Sequence, residues 1–165
     1  MHPLSNKGMI EQTIIGWREW AVLPRLGIPA LKVKVDTGAR TSALHVFQLD
    51  TYIEAGQPRV RFAIHPLRKN KDIVIECDAE VIDQRLVRDS GGHSEQRVVI
   101  LTPIRLGTRE WPIEITLTNR EDMLFRMLLG RTALAGQLIV DPALSYVYGR
   151  KLRRSYRSYR KQQTR

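Results

Sequence analysis

The sequence has a single cysteine and no long apolar run. Because Cys77 is the only cysteine among 165 residues, the chain has no internal disulfide and no CxxC motif for metal or redox chemistry. We interpret Cys77, in the segment IVIECDAEV, as a small packed residue, with a nucleophile as the alternative. No segment approaches the roughly 20 apolar residues of a membrane helix, and the first residues include no apolar run of signal length. The sequence therefore predicts a cytoplasmic protein without a membrane partner.

Acidic residues are absent from the C-terminal segment RKLRRSYRSYRKQQTR, residues 150–165, which has eight cations. Removing these eight from the net charge of +10 leaves +2 for the rest of the chain. The basic character is therefore concentrated in a tail. With Tyr156 and Tyr159 among the cations, this tail is predicted to bind RNA or another polyanion through phosphate contacts and stacking. A solvated extension that raises solubility is the alternative.

Strand patterns dominate what is present, and helix patterns are scarce. Apolar and polar residues alternate with a period of two in LKVKVD (31–36), RVRFAIH (59–65) and WPIEITLTN (111–119), as they do in half-buried strands. Turn residues separate these runs at short intervals, which favours a compact, mostly antiparallel barrel or sandwich. The apolar run MLFRMLL predicts a buried strand, and GRTALAG after it predicts one short helix near the C-terminal side.

An aspartate ends the first of these strands. Asp36 is followed by Thr37 and Gly38, which supply a hydroxyl, backbone N–H donors and a conformation that a side chain would block. This tripeptide is suited to holding a carboxylate at a sharp turn. An ordinary turn initiated by aspartate is the alternative interpretation.

The order of these features resembles the retropepsin-like aspartic peptidases. An apolar strand, Asp-Thr-Gly-Ala at 36–39 and a later Leu-Leu-Gly at 128–130 follow the signature order of that family. A closer similarity is to a bacterial group named ATP-dependent zinc proteases, whose members accompany ATP-grasp ligases that add glutamates to a small-subunit ribosomal protein. The segments that carry this similarity are GWREWAVLP (16–24), KVDTGARTSALH (34–45), LLGRTAL (128–134) and VDP (140–142).

The resemblance implies an all-β, retropepsin-like acid-protease barrel over residues 13–148. An N-terminal extension would occupy residues 1–12 and the basic tail residues 149–165. The implied activity is that of an aspartic peptidase, in which Asp36 acts and Thr37 and Gly38 hold it. The Leu-Leu-Gly element is expected to pack behind the catalytic loop.

Carboxylate catalysis needs two acids that share one proton, and the chain has one Asp-Thr-Gly. A homodimer would supply the second Asp36 across a twofold axis. We therefore expect a dimeric peptidase that hydrolyses peptide or glutamyl bonds in an acidic, polyglutamate-type tail, with a ribosomal protein as a candidate substrate. The alternative is a non-catalytic barrel that binds a peptide, or that binds RNA or the ribosome through the basic tail.

Several further residues are candidates for substrate binding. The segment EVIDQRLVRDSGGHSEQRVVILTPIRL reads as two strands around a glycine turn, which is either a flap over the substrate or an ordinary hairpin. Arginine pairs bidentately with carboxylates, so four arginines near the loop or the flap favour an acidic substrate, although each alone fits a solvated side chain. The candidate substrate-binding residues are Arg40, Thr41, Ser42, His45, Arg88, Gly91, Gly92, Arg97 and Arg131.

No cofactor is predicted, despite the name of the similar group. The histidines are His2, His45, His65 and His93, and no two of them are spaced i, i+4 as in a catalytic zinc helix. The sequence has no GxxxxGK[ST] loop that would bind nucleotide phosphates. It therefore predicts neither a zinc site nor an ATP site.

Overall fold

The computed structural model describes residues 13–120 and 123–159. Within these residues the chain forms twelve strands, a short α-helix and two 3-10 helices, Pro24–Leu26 and Lys151–Tyr156, and residues 157–159 after the second 3-10 helix are α-helical. The strands are β1 Thr13–Ile15, β2 Arg18–Leu23, β3 Ile28–Asp36, β4 Ser42–His45, β5 Gln48–Glu54, β6 Gln57–Ile64, β7 Ile75–Glu80, β8 Asp83–Arg88, β9 Ser94–Leu106, β10 Arg109–Thr118, β11 Met127–Gly130 and β12 Leu138–Val140, and α1 is Arg131–Leu134. The predicted N-terminal extension, residues 1–12, lies outside the described residues.

The main sheet closes on itself. Its strands follow the order β10-β4-β11-β3-β2-β9-β8, and β9 also pairs with β10, so six strands form a ring and β8 extends from it. Most pairs are antiparallel, whereas β10–β4 and β11–β3 are parallel. The predicted all-β barrel is confirmed.

Two smaller sheets complete the fold. Strands β5, β6 and β7 form an antiparallel sheet of three, and β1 pairs in parallel with β12. Cys77 lies on β7, where it is buried in the core, and its thiol donates a hydrogen bond of 3.3 Å to the carbonyl oxygen of Leu26. Burial raises the pKa of the Cys77 thiol to about 12. The packed role predicted for this cysteine is confirmed.

Strand β3 follows the predicted alternation at the end that carries the site. Leu31 and Val33 are buried, whereas Lys32 and Lys34 are exposed. Because side chains two residues apart share a face of a strand, the pattern that fixes the core face also places Lys34 and Asp36 on the opposite face.

The apolar run before α1 forms a shorter strand than predicted. Only Met127–Gly130 is extended in the sheet, and Phe125 and Arg126 are buried just before it. The Arg126 guanidinium donates a hydrogen bond of 2.9 Å to the carbonyl oxygen of His65. The carbonyl oxygen of Arg126 accepts a hydrogen bond of 2.7 Å from the N–H of His45, so the residue stays next to β4 without strand geometry. The predicted helix is present and begins at Arg131.

A buried glutamate joins the start of β2 to the segment after β12. Glu19 has no exposed surface, and its carboxylate accepts hydrogen bonds from the backbone N–H groups of Gly16 at 2.8 Å, Val147 at 3.0 Å and Tyr148 at 3.1 Å. A Cβ on Gly16 would lie 2.4 Å from the carbonyl oxygen of Leu144, so only glycine fits there. Backbone donors thus satisfy the buried carboxylate in the GWREW segment.

The basic segment at the C-terminus packs on the barrel as far as Tyr159. Tyr156 is 2 % exposed and belongs to the core, and its hydroxyl donates a hydrogen bond to the carbonyl oxygen of Ala30 on β3. The Tyr159 ring lies against the Tyr156 ring, with 5.7 Å between centroids. The expectation that Tyr156 stacks on RNA bases is wrong, because its ring is enclosed by protein.

In the described ranges, 13–120 and 123–159, no helix combines the length and apolar character that a bilayer span requires. No group of three or more His, Cys, Asp or Glu side chains in the same ranges is placed to hold a metal ion.

Candidate active site

The Asp36 carboxylate is held by the loop that follows it. Its Oδ1 accepts hydrogen bonds from the backbone N–H of Gly38 at 3.1 Å and of Ala39 at 3.2 Å. Asp36 is half-buried, whereas Thr37 and Gly38 are exposed. The turn therefore fixes the carboxylate at the end of β3 and leaves the loop at the surface of the chain.

Strand β11 and helix α1 support this loop from behind. Gly130 pairs with Asp36 in the parallel ladder between β11 and β3. The N–H of Arg131 donates to the carbonyl oxygen of Ala39 at 2.7 Å, and the N–H of Thr132 donates to that of Arg40 at 2.9 Å. In these contacts the Leu-Leu-Gly element packs behind the loop, as expected.

The close approach of β11 to the loop explains its glycine. A Cβ on Gly130 would lie 2.5 Å from the carbonyl carbon of Thr41 and 2.7 Å from the amide nitrogen of Ser42. Both atoms belong to the backbone, so neither can rotate away from an added methyl group. Any side chain at position 130 would therefore displace the segment that follows Asp36.

Arg131 contacts the Asp36 loop directly. Its Nη1 donates a hydrogen bond of 2.8 Å to the carbonyl oxygen of Thr37. Arg40 is exposed beside the same loop. The pKa of the Glu114 carboxyl group is held below its usual range, mainly because Arg85 donates a hydrogen bond of 2.6 Å to it. The charge of Arg40 makes a smaller contribution in the same direction. Two of the four predicted arginines, Arg40 and Arg131, thus lie at the loop.

Ser42 and His45 differ from the expectation. They are 0 % and 5 % exposed, and the Ser42 hydroxyl accepts a hydrogen bond of 3.0 Å from the N–H of Gly130. Side chains enclosed to this degree have no surface for a substrate in the single chain. We therefore reassign both residues from substrate binding to the support of the site, while Thr41 stays half-buried beside Arg40.

The predicted hairpin is present in β8 and β9. Asp89 organises its turn, because its Oδ1 accepts hydrogen bonds of 2.9 Å from the N–H groups of both Gly91 and His93. Gly92 has a φ of 82°, a conformation that favours glycine. The turn is exposed, as a flap requires, but whether it covers a substrate stays a prediction.

The two arginines of the hairpin do not join Arg131 within the single chain. Arg97 forms an ion pair of 3.1 Å with Glu95 on its own strand, and Arg88 ends β8 with an exposed side chain. A common arginine cluster around Asp36 is therefore not formed by the contacts of one described chain.

Sequence reasoning missed Lys32 and Lys34. Both are exposed on the face of β3 to which the Asp36 side chain belongs, at two and four residues before it. The alternation of LKVKVD contained this signal, because the same period of two that buries the valines groups the lysines with the aspartate. These two residues extend the positive surface beyond the loop.

Comparisons with known proteins agree with this geometry. A family model described as retropepsin-like aspartic endopeptidase RimB matches residues 14–151. A solved structure from Legionella pneumophila, a protein described as of unknown function, superposes with a TM-score of 0.68 at 30% sequence identity, and covers 82% of this chain and 97% of that one.

Curated relatives have a different name and are much longer. A probable alpha-L-glutamate ligase of Desulfotalea psychrophila is 46% identical over 157 residues, which are 94% of this chain and 34% of that protein. A protein of the same name from Shewanella pealeana is 44% identical over 138 residues, 84% of this chain and 30% of that protein. The chain thus spans about a third of the length of these relatives. Since the matched model covers most of the chain, this protein belongs to the RimB-like family of retropepsin-like aspartic endopeptidases.

Proposed function

We propose that the protein is an aspartic peptidase that acts as a homodimer on an acidic protein tail. The observation that carries the proposal is the loop of Asp36, whose carboxylate is fixed by the N–H groups of Gly38 and Ala39 and supported by β11. A single chain provides one such carboxylate. Two chains related by a twofold axis would provide the pair that this chemistry needs.

The reaction follows from one proton shared between the two Asp36 carboxyl groups. The ionised carboxylate takes a proton from water, and the hydroxide equivalent attacks the amide carbon. The protonated carboxyl group donates a hydrogen bond to the carbonyl oxygen, which stabilises the charge that develops there. The tetrahedral intermediate collapses with cleavage of the carbon–nitrogen bond, and the leaving nitrogen receives a proton from the carboxyl pair. The products are a carboxylic acid and an amine.

Exposure of the loop supports dimerisation. Thr37 and Gly38 are exposed in the single chain, where a partner can reach them. The ribbon of β1 and β12 also has an exposed apolar pair, Ile14 and Ile139, which are register partners and are 50% and 46% exposed. Apolar neighbours of this kind gain free energy when a second subunit covers them.

Positive charge near the loop supports an acidic substrate. Arg40, Lys34 and Arg131 lie on or beside the segment that carries Asp36. Guanidinium and ammonium groups favour glutamate side chains over neutral ones. The relatives named glutamate ligases motivate glutamate tails as the specific substrate, with a ribosomal protein as a candidate. Because those relatives are about three times as long as the matched segment, we do not carry ligation over to this chain.

The test compares wild-type protein with Asp36→Asn on a glutamate-tailed protein, with the mass of the substrate followed over time. We expect stepwise or endoproteolytic loss of glutamates with the wild type and none with Asp36→Asn, because an amide cannot accept the proton of water. The matched control is Asp50→Asn, which removes the same charge from an exposed position on β5 and should retain activity.

Sedimentation of the wild type and of Asp36→Asn checks the dimer, which Asp36→Asn should preserve. Full hydrolysis by Asp36→Asn, or by a protein that is monomeric on and off its substrate, contradicts the proposal. Binding of the tail without cleavage by the wild type would instead identify the protein as a non-catalytic binding module.

A further inference from the structure

A cavity of about 240 Å³ lies between β2, β3 and the C-terminal 3-10 helix, away from the Asp36 loop. We call it the basic cavity, and its lining residues are Arg18, Trp20, Lys32, Tyr146, Arg150 and Arg153. Two adjoining cavities, of about 340 and 200 Å³, share Arg153 with it and add Arg68, Lys69, Lys151 and Arg154 among their lining residues. Among the described residues, no aspartate or glutamate lines any of the three.

The cations of the basic cavity are held in place by aromatic rings. The Arg18 guanidinium lies 4.5 Å from the centroid of the Trp17 ring and 4.7 Å from that of Tyr146. The Arg150 guanidinium lies 4.5 Å from the same Tyr146 ring. These contacts are in the range of cation–π interactions. The ring of Tyr146 thus contacts two arginines, one from β2 and one from the C-terminal segment.

The backbone around the cavity is fixed as well. The N–H of Tyr146 donates a hydrogen bond of 2.9 Å to the carbonyl oxygen of Arg18, and the N–H of Arg153 donates one of 3.2 Å to that of Arg150. Burial of Tyr156 against β3 anchors the 3-10 helix that carries Arg153. Cations that are ordered before binding lose less conformational entropy when a ligand arrives.

Within the described residues, the positive charge of the basic cavity has no counterion. In the described part of the chain, no ion pair joins Arg18, Lys32, Arg150 or Arg153 to an acid. The Nε of Arg18 is buried and has no hydrogen-bond acceptor among the described residues. Positive charge that no acid of the described chain neutralises favours an anionic ligand.

The basic cavity shares a strand with Asp36. Lys32 and Lys34 lie on the same face of β3 as the catalytic aspartate, and Arg18 and Trp20 are their register partners on β2. At about 3.3 Å per residue, the four residues from Asp36 to Lys32 span roughly 13 Å. A substrate peptide that extends along β3, with the bond to be cleaved next to Asp36, would thus reach the basic cavity about four residues from that bond.

The chemistry of the cavity favours carboxylates over nucleic acid. Recognition of single-stranded RNA uses free aromatic faces on which bases stack, and here the ring of Tyr146 is covered by two arginines, while the Nζ of Lys32 lies 5.5 Å above the ring of Trp20. What remains available is the hydrogen-bonding edges of guanidinium groups and an ammonium group. These pair with carboxylates.

We propose that the basic cavity binds carboxylate side chains of an acidic peptide, about four residues away from the bond positioned at Asp36. The inference rests on the proposed function, because the peptide is the tail of the substrate. It adds a binding site outside the catalytic loop and gives a role to the basic segment that packs against the barrel over residues 150–159.

The test is fluorescence anisotropy of a labelled hexaglutamate peptide with Asp36→Asn protein, in which binding is separated from cleavage. We expect Arg150→Gln with Arg153→Gln to weaken binding by about fivefold or more, and the loss to shrink at high salt. The control is Arg25→Gln with Arg105→Gln, which removes the same charge from two exposed arginines that line none of the three cavities. That control should bind within twofold of the parent, and thermal unfolding confirms that each protein is folded.

Three outcomes overturn the inference. Equal binding by the cavity variant and the parent removes the cavity from recognition. Equal losses in both double variants indicate a general effect of net charge. Tighter binding of a labelled hexanucleotide RNA, lost in the cavity variant alone, assigns the cavity to nucleic acid.

Failure of the proposed function gives a different result. In that case the wild type does not cleave the glutamate-tailed protein, while the hexaglutamate peptide still binds and its affinity is still lower for the cavity variant. Conversely, if the wild type cleaves the glutamate-tailed protein and the cavity variant binds the peptide as the parent does, the inference is wrong and the proposed peptidase function still holds.

Discussion

The position of one carboxylate explains most of the local sequence. Asp36 ends a strand whose valines face the core, and the two residues after it allow the backbone to turn and donate hydrogen bonds to its Oδ1. Arg131 reaches the same loop from α1 and donates to Thr37. We therefore interpret Arg131 as a residue that positions the loop, and Arg40, which is exposed beside it, as the stronger candidate for contact with substrate.

Gly130→Ala should destabilise the fold and lower turnover. The added methyl group would lie 2.5 Å from a backbone carbon of Thr41, so the strand or the Asp36 loop must move, at a cost of about 3 kcal/mol in the free energy of unfolding. Urea unfolding measures the stability, and turnover per folded protein measures the shift of the loop.

The matched control for Gly130→Ala is Gly56→Ala. Gly56 has a φ of 77° and nothing within 4 Å of an added Cβ, so its substitution should cost about 1 to 2 kcal/mol through backbone conformation alone. Equal effects of the two substitutions, with normal turnover in both, would show that β11 does not crowd the loop.

Among the larger elements, the hairpin of β8 and β9 depends on one turn residue. Asp89 accepts hydrogen bonds from the N–H groups of Gly91 and His93 and forms an ion pair of 3.2 Å with Arg120. The hydrogen bond from His93, together with Arg120 and Gly91, holds the pKa of Asp89 below its usual range. The turn is thus most ordered at pH values at which the Asp89 carboxylate is ionised.

Asp89→Ala should loosen the turn without unfolding the barrel. The N–H groups of Gly91 and His93 lose their acceptor, so we expect faster amide hydrogen exchange at both, with exchange in β2 and β3 unchanged. Glu80→Ala removes the same charge from an exposed position on β7 and serves as the control. If the hairpin acts as a flap, Asp89→Ala also raises KM for the glutamate-tailed substrate. Unchanged exchange at Gly91 and His93 would contradict the assigned role of Asp89.

The strands were predictable from sequence, but their closure was not. Period-two alternation located β3, β6 and β10, because a half-buried strand must alternate. The pairing of β9 with both β2 and β10 depends on contacts between distant segments that no local pattern encodes. The Asp-Thr-Gly loop was likewise visible as a motif, whereas the burial of Ser42 and His45 follows from the later packing of β11 and β10 against β4.

The packing of the C-terminal segment could not be predicted from local sequence patterns either. Its composition is that of a solvated tail, and a lone Tyr156 among cations has no periodicity that would predict burial. The burial of its ring depends on the folded barrel, in which the Tyr156 hydroxyl donates a hydrogen bond to the carbonyl oxygen of Ala30. The basic cavity was hidden for the same reason, since Arg18, Lys32 and Arg150 come from three separate segments.

For the whole molecule, stability should fall in alkaline solution. The pKa of the buried Cys77 thiol is raised from 9.0 to about 12. Above pH 9 the unfolded chain therefore binds fewer protons than the folded one, and the free energy of unfolding decreases as pH rises toward 12, by at most about 1.4 kcal/mol per pH unit from this group. Burial also raises the pKa of Tyr156, which acts in the same direction.

Urea unfolding at pH 8, 9, 10 and 11 measures this dependence. Cys77→Ala is expected to be less stable at pH 8, because it leaves a small void, but to lose stability less steeply between pH 9 and 11. Parallel pH dependence in the two proteins would show that the thiol does not contribute.

The parallel pairing of β3 with β11 sets the order of events during synthesis. Asp36 precedes the residues that brace its loop by a long stretch of chain, since Arg131 lies 94 positions after Thr37. A nascent chain released only as far as β10 would contain the Asp-Thr-Gly segment without its support. Translation thus has to pass α1 before the hydrogen bonds from Arg131 and Thr132 to the Asp36 loop can form.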